Sequence, residues 1–351
     1  MLLNVALAVA IEPASPDYEG HCQSPRWSPD GRFLSWEVNY LERQAVELYV
    51  AVFGSGSPPR RVAPVMRSSS SITAGFATQG ERSVVHELSF APASLNRFVY
   101  TSSGSAEDYD LYLDGLGSFA ASPAAEGNPA WSPDGKWITF TSSRSGQGDL
   151  YLSDVTAMEA PPLRLSGDAD ASELYAAWSP DSKKLAFVGH SQRGDNLYLI
   201  DNVQFPAPVP LTTTQGTHTR PAFSPDGGRV AYFSNEDGGD DFDLYVLPLG
   251  GQPSRVASDV LLNAGGPAWT PDGKWLVYVK HDDDNFNPVW AVPVADPTKA
   301  RMVATGTVGN ADIHVARRVD GKAWLAVAAQ GRVGDAQRDF RRVYALALSL
   351  P

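Results

Sequence analysis

The residues of this chain that could do chemistry match none of the local patterns that chemistry requires. A hydrolytic serine sits on a sharp strand-to-helix turn of the G-x-S-x-G kind. The nearest stretch is Gly189-His190-Ser191-Gln192-Arg193-Gly194, whose second glycine arrives one residue late. It follows the apolar run ending at Phe187, in a hairpin loop and not before a helix, so chance composition accounts for it. A calcium loop carries glycine at its sixth position and glutamate at its twelfth. Asp168-Ala169-Asp170-Ala171-Ser172 opens like one and lacks both. The six histidines (His21, His86, His190, His218, His281, His314) show neither H-x-x-x-H nor H-E-x-x-H spacing. The acidic runs, Asp237 to Asp241 and Asp282 to Asp284, read as solvated loop charge or as a cation site. No local reaction centre emerges.

The elements that would position these groups are easier to read. At 351 residues the chain is long for one compact core, unless it is built of repeats that pack only on their neighbours. The formal charge of -12 disfavours nucleic acid and anionic membrane surfaces as partners. No apolar run has the length of a membrane span, so direct insertion is not expected. Cys22 is the sole cysteine, which excludes an intrachain disulfide and a cysteine-based zinc site.

The pentapeptide WSPDG at Trp27 returns at Trp131, as WSPDS at Trp178, FSPDG at Phe223 and WTPDG at Trp269. Degenerate copies lie at Phe90 and Arg317, giving intervals of 63, 41, 47, 45, 46 and 48 residues. A period in the mid-forties is that of a propeller blade. After each turn comes a short apolar strand, such as Trp137-Ile138-Thr139-Phe140, then a polar loop and a strand around an aromatic such as Tyr151. Proline presets the turn, aspartate bonds back to the local backbone and glycine supplies a positive φ. The motif is therefore structural, bending the chain between a blade's first and second strands. The long first interval is explained by the Gly/Ser/Pro-rich segment 53–85, read as an outer strand and a surface loop.

The last unit lacks an outer strand, whereas Leu2 to Ala10 lies upstream of the first unit with nothing to pair. Two readings stand for that segment: a strand that closes the ring, or the remnant of a signal peptide. The expected fold is an all-β propeller in one domain spanning 1–351. Its units are centred on 22–52, 85–114, 126–155, 173–202, 218–249, 264–295 and 312–350. Seven blades are expected, with six as the alternative because the second and seventh units are poorly matched.

The stretch from Pro129 to Leu152, PAWSPDGKWITFTSS…GDLYL, resembles the WD40-like, or PD40, repeat of TolB-type β-propellers. The same repeat builds the propeller domains of prolyl oligopeptidase and dipeptidyl peptidase relatives. The resemblance covers most of the chain and implies fold far more strongly than function. It implies a protein-binding role and a periplasmic or extracellular setting. TolB carries an α/β domain before a six-bladed propeller, and the peptidases carry an α/β-hydrolase domain; neither pattern is seen in this sequence. Seven-bladed propellers of this repeat also include metal-dependent oligogalacturonate lyases, which gather histidines around a divalent ion. His86, His218 and His314 are the residues that reading would use.

Propellers assemble sites from separate blades, so the innermost strands carry the expectation. Three positions before the motif aromatic stand Ser24, Glu87, Asn128, Tyr175, Arg220, Gly266 and His314. Five before it stand Cys22, Val85, Glu126, Glu173, His218, Ala264 and Asp312, and one before it mainly alanine. Strict alternation would turn these polar columns into a channel widening toward a wet mouth. Glu87, Glu126, Asn128, Glu173, Tyr175, His218, Arg220, Asp312 and His314 are thus the expected channel-mouth residues. Loops at the far end from WSPDG add Asp237, Asp240, Asp241, Asp282, Asp283 and Asp284, an acidic face suited to a basic protein or peptide partner. The expected function is non-enzymatic binding, with a lyase or a purely architectural subunit as alternatives. No catalytic residue and no required cofactor are expected; the remaining cofactor alternative is a calcium ion in the channel or acidic loops.

Overall fold

The computed structural model describes residues 13–42, 44–62, 85–92, 97–103, 109–120, 122–146, 148–166, 171–191, 194–236, 239, 241–262, 265–332 and 340–351. Seven antiparallel sheets follow one another along the chain. Blade 1 holds β1 (His21–Trp27), β2 (Phe33–Tyr40), β3 (Ala45–Val52) and β4 (Arg60–Val62). Blade 2 holds β5 (Val85–Phe90), β6 (Phe98–Ser102), β7 (Asp110–Leu113) and β8 (Gly117–Phe119). Blade 3 holds β9 (Glu126–Trp131), β10 (Trp137–Ser142), β11 (Asp149–Asp154) and β12 (Leu163–Arg164). Blade 4 holds β13 (Ala171–Trp178), β14 (Leu185–Ser191), β15 (Gly194–Ile200) and β16 (Val209–Pro210). Blade 5 holds β17 (His218–Phe223), β18 (Arg229–Ser234), β19 (Phe242–Pro248) and β20 (Ser254–Val260). Blade 6 holds β21 (Ala268–Trp269), β22 (Trp275–Val279), β23 (Val289–Pro293) and β24 (Arg301–Met302). Among the described residues, blade 7 holds three strands, β25 (Thr307–Arg317), β26 (Ala323–Arg332) and β27 (Arg342–Ala347). The fold is a seven-bladed propeller.

Every WSPDG segment is a turn between a blade's first two strands, and its side chains explain the repetition. The Ser28 hydroxyl donates to Asp30 at 2.6 Å and accepts the Phe33 N–H at 2.9 Å. Asp30 also accepts the Arg32 N–H at 3.1 Å. The same hydroxyl–carboxylate pair recurs at Ser132–Asp134, Ser179–Asp181, Ser224–Asp226 and Thr270–Asp272. Each carboxylate thereby satisfies donors that the reversal leaves unpaired.

Within the blades, aromatic residues of the second and third strands stand opposite one another and stack. Trp36–Tyr49, Tyr100–Tyr112, Phe140–Tyr151, Phe187–Tyr198 and Tyr232–Tyr245 have ring centroids 5.6–6.3 Å apart. Such cross-strand pairs stabilise by roughly 0.2–1 kcal/mol each. Between blades, two of the motif tryptophans act as fasteners. The Trp178 indole N–H reaches back to the Ala130 carbonyl, and that of Trp269 to the Ala222 carbonyl, both at 3.0 Å.

Alternation fails at one place in most inner strands. In β17, Thr219 pairs with Phe233 and Ala222 with Ala231, so Arg220 and Pro221 together oppose Tyr232. That is a β-bulge. The residue three before the aromatic takes a left-handed backbone: Ser24 (φ 49), Glu87 (φ 55), Asn128 (φ 51), Tyr175 (φ 54) and Arg220 (φ 55), with Gly266 (φ 70) in blade 6. Non-glycine residues adopt that conformation at a cost of order 1 kcal/mol, so something must hold them there. In three blades a carboxylate from the preceding blade does. Asp312 accepts the Ser24 N–H at 3.1 Å, Glu37 the Glu87 N–H at 2.9 Å, and Glu87 the Asn128 N–H at 2.6 Å.

The ring joins where blade 7 meets blade 1. Pro13 bridges antiparallel to Tyr344, and the Ala14 and Ser15 N–H groups both donate to the Val343 carbonyl, at 2.7 and 3.2 Å. Ser15 in turn accepts the Val343 N–H on its hydroxyl at 3.0 Å and the Arg342 guanidinium on its carbonyl at 2.8 Å. The closing strand expected at Leu2 to Ala10 lies outside the described residues.

Candidate binding channel

A central cavity of about 930 Å³ reaches from the bulges to the WSPDG turns. Glu87, Asn128, Tyr175, Arg220 and His314 line it, as do Ser24 and the turn residues Ser28, Pro225 and Pro271. These are the expected residues that the structure brings together. Glu126, Glu173, His218 and Asp312 do not join them; each is less than a tenth exposed and buried away from the lining. The reason is the bulge. One inserted residue reverses the parity of the strand, so in blades 3, 4 and 5 the residue five before the aromatic turns to the opposite face. Blade 7 has its irregularity between Asn310 and Asp312, upstream of His314, and Asp312 is used as the cap for Ser24.

The buried acids have identifiable partners. Glu126 accepts from the Ser142 hydroxyl and the Arg144 guanidinium, both at 3.1 Å, and from Ser122. Burial nevertheless pushes its carboxyl above the usual range. Burial pushes Glu173 up to about 7, against the lowering hydrogen bond of Ser166 and with the Asp149 carboxylate acting in the same direction as burial. Asp149 is itself buried and paired with Arg164 at 2.6 Å. His218 is fully buried at the edge of the Tyr232 ring, its Nε2 2.9 Å from the Thr214 hydroxyl, and burial lowers its basicity.

Glu173 makes a pH prediction. Its folded value lies above the ordinary 4.5, so its contribution is fully present below about 4.5 and is lost as pH rises through about 7. Glutamine keeps the neutral shape without the titration. Glu173→Gln should therefore melt higher than the parent at pH 8, by on the order of 2 kcal/mol, with the gap closing near pH 4.5. Equal pH profiles for the two proteins would refute it.

Residues that column reading passed over complete the cavity: Arg26, Glu37 and Arg317. Arg26 stands one before its aromatic, where alanine is usual, and that departure was the available signal. Burial depresses the Arg26 guanidinium, Asp312 and Glu37 oppose the effect, and Arg220 adds to it. Arg220 lies over the Tyr175 ring at 3.8 Å from the centroid. His314 accepts the Trp27 N–H on Nδ1 at 3.1 Å, and burial with nearby Arg26 lowers its pKa to about 3, so it is neutral.

His218 and His314 do not converge. His218 is fully buried outside the lining that His314 shares, and the His86 side chain lies outside the described residues. Among the described residues, no group of three or more His, Cys, Asp or Glu side chains could hold a metal ion. The lyase alternative has no support in this arrangement. Of the acidic-loop residues, Asp237 and Asp240 lie outside the described residues, as do Asp168 and Asp170. Asp241, Asp283 and Asp284 are exposed and Asp282 half-buried, its carboxylate accepting the Asp284 N–H at 2.8 Å. No helix among the described residues is long and apolar enough to cross a membrane.

Residues 170–338 match the family model described as PD40, TolB beta propeller domain. A stretch of 61 residues is 38% identical to the Tol-Pal system protein TolB of Desulfosudis oleivorans, covering 17% of this chain and 14% of that protein. TolB from Acinetobacter baumannii aligns in structure at a TM-score of 0.52 and 18% identity, over 84% of this chain and 65% of that one. A prolyl endopeptidase structure aligns at 0.59 and 11% identity, over 94% of this chain and 50% of that one. The matches thus span less than two thirds of each of these relatives. The chain is a seven-bladed β-propeller, and its residues 170–338 match the PD40 family. It resembles the propeller domains of TolB and of prolyl oligopeptidase relatives.

Proposed function

We propose that the chain is a non-enzymatic binding module that docks a basic protein segment on its far face, opposite the WSPDG turns. The carrying observation is the concentration of exposed carboxylates where blades 5 and 6 meet. Lys280 pairs with Val260 in an isolated bridge, and the His281 N–H donates to the Asp259 carbonyl at 2.7 Å. These contacts set Asp259 beside the loop that carries Asp282, Asp283 and Asp284. Glu236 and Asp241 come from the matching loop of blade 5. Lys280 lies within this group, 3.5 Å from Asp259. Like charges gathered this way repel, and a partner bearing lysine or arginine relieves the repulsion and is steered toward it. Likeness to TolB supports a bacterial envelope assembly and the periplasm as the setting.

Affinity capture with the intact chain, followed by kinetics with the partner it retains, tests this reading. Association should slow as ionic strength rises, and Asp241→Asn with Asp283→Asn and Asp284→Asn should flatten that dependence, cutting the low-salt rate by about tenfold or more. The melting curve should hardly move, because these loops are exposed. A rate indifferent to both salt and the triple change would overturn the reading.

A further inference from the structure

We propose that the central cavity at the WSPDG end is a receptor for a free carboxylate carried on a short apolar peptide segment, as at a peptide C-terminus. The inference is independent of the far-face reading, since it uses the opposite end of the channel.

The cavity's size, about 930 Å³, lies within the range that encloses a small ligand. Its walls combine two kinds of surface. Pro129, Pro221, Pro225 and Pro271, with Ala130 and Ala316, give stiff apolar sides that offer few backbone donors. Set among them are Arg26, Arg220, Arg317 and His314. The acids of the same wall have other duties. Glu37 receives the Glu87 N–H and the Gln23 amide, and Glu87 receives the Asn128 N–H and the Thr101 hydroxyl. They are turned to the seams between blades.

Arg220 is preorganised. Its guanidinium rests on Tyr175, and its backbone is backed by Gly266, where a Cβ would come within 2.9 Å of the Arg220 Cβ. His314 is neutral and uses Nδ1 as an acceptor, so Nε2 carries the proton and is a donor. Arg26 is answered mainly by Asp312 and Glu37, so what the cavity offers an anion is the Arg220 guanidinium over Tyr175, Arg317 and the His314 Nε2 donor. A carboxylate matches the planar fork of arginine, and apolar side chains behind it match the prolines and alanines. A phosphate would use the charge and waste the walls.

The test uses the full chain and three probes: the tripeptide acetyl-Pro-Ala-Leu as the free acid, the same peptide as its C-terminal amide, and inorganic phosphate. Calorimetry should show the acid binding, and the amide weaker by about tenfold or more. Arg220→Gln should weaken the acid by a similar factor and leave the amide unchanged. The triple Asn variant of the far-face loops should bind the acid as the parent does, so that failure of one reading is separable from failure of the other. Acid and amide binding alike, no binding of the acid at about 10 mM, or phosphate displacing the acid at equal concentration would each overturn the proposal. The acid–amide comparison needs no variant, so it decides the matter even where Arg220→Gln does not fold.

Discussion

Trp269→Ala is expected to lower stability by about 3–5 kcal/mol, the range for removing a large buried aromatic. The indole is 8% exposed and packs in the seam between blades 5 and 6 with Phe233, Leu244, Val246 and Leu276. The Arg229 guanidinium lies 5.0 Å from its ring centroid, and its N–H holds the Ala222 carbonyl at 3.0 Å. Alanine would leave a void in that seam and an unpaired carbonyl. Trp269→Phe separates the two losses, because phenylalanine refills most of the volume but cannot donate. It should cost about 1–2 kcal/mol, and urea midpoints for both variants provide the check. If phenylalanine proved as damaging as alanine, the hydrogen bond and not the packing would be the main fastener.

Removing residues 1–15 should be about as damaging, at roughly 3–4 kcal/mol. The deletion takes away four hydrogen bonds between Ala14 or Ser15 and Arg342 or Val343, each worth roughly 0.5–1.5 kcal/mol when buried. Ser15 is 2% exposed, so β27 would also present a bare edge to solvent. Removing residues 1–10 alone gives the share owed to the strand expected there. A parent-like denaturation curve for the longer deletion would mean that blade 7 is held by its face against blade 1, not by its edge.

Much of this architecture is written plainly in the sequence. The Ser-Pro-Asp turns bond as their residue types require, and in blades 1 to 5 the aromatic of the third strand meets an aromatic across the hairpin, as at Phe140 and Tyr151. The channel was less legible, because period-two alternation was carried past the bulge. Glu126, Glu173 and His218 accordingly fell on the wrong face. A signal for the bulge was nevertheless present: Pro25, Pro129, Pro221 and Pro267 stand two before their aromatics. Proline has no N–H for the ladder and is confined to edges and bulges, and Pro25, Pro129 and Pro221 fall within the bulges of edge strands. What no local pattern could supply was pairing across blades, such as Asp312 with Ser24, which lie 288 residues apart.

The carboxylate bonds at the left-handed residues make three of the seams separately observable. The Ser24 amide is tied to blade 7, that of Glu87 to blade 1 and that of Asn128 to blade 2. An amide tied across a joint exchanges its hydrogen for deuterium when that joint parts, whether or not either sheet unravels. Exchange at these three positions would rank the joints by opening free energy. A propeller that breathes at one of these three joints would show one fast amide and two slow ones, while a ring that opens at all three together would show three fast ones.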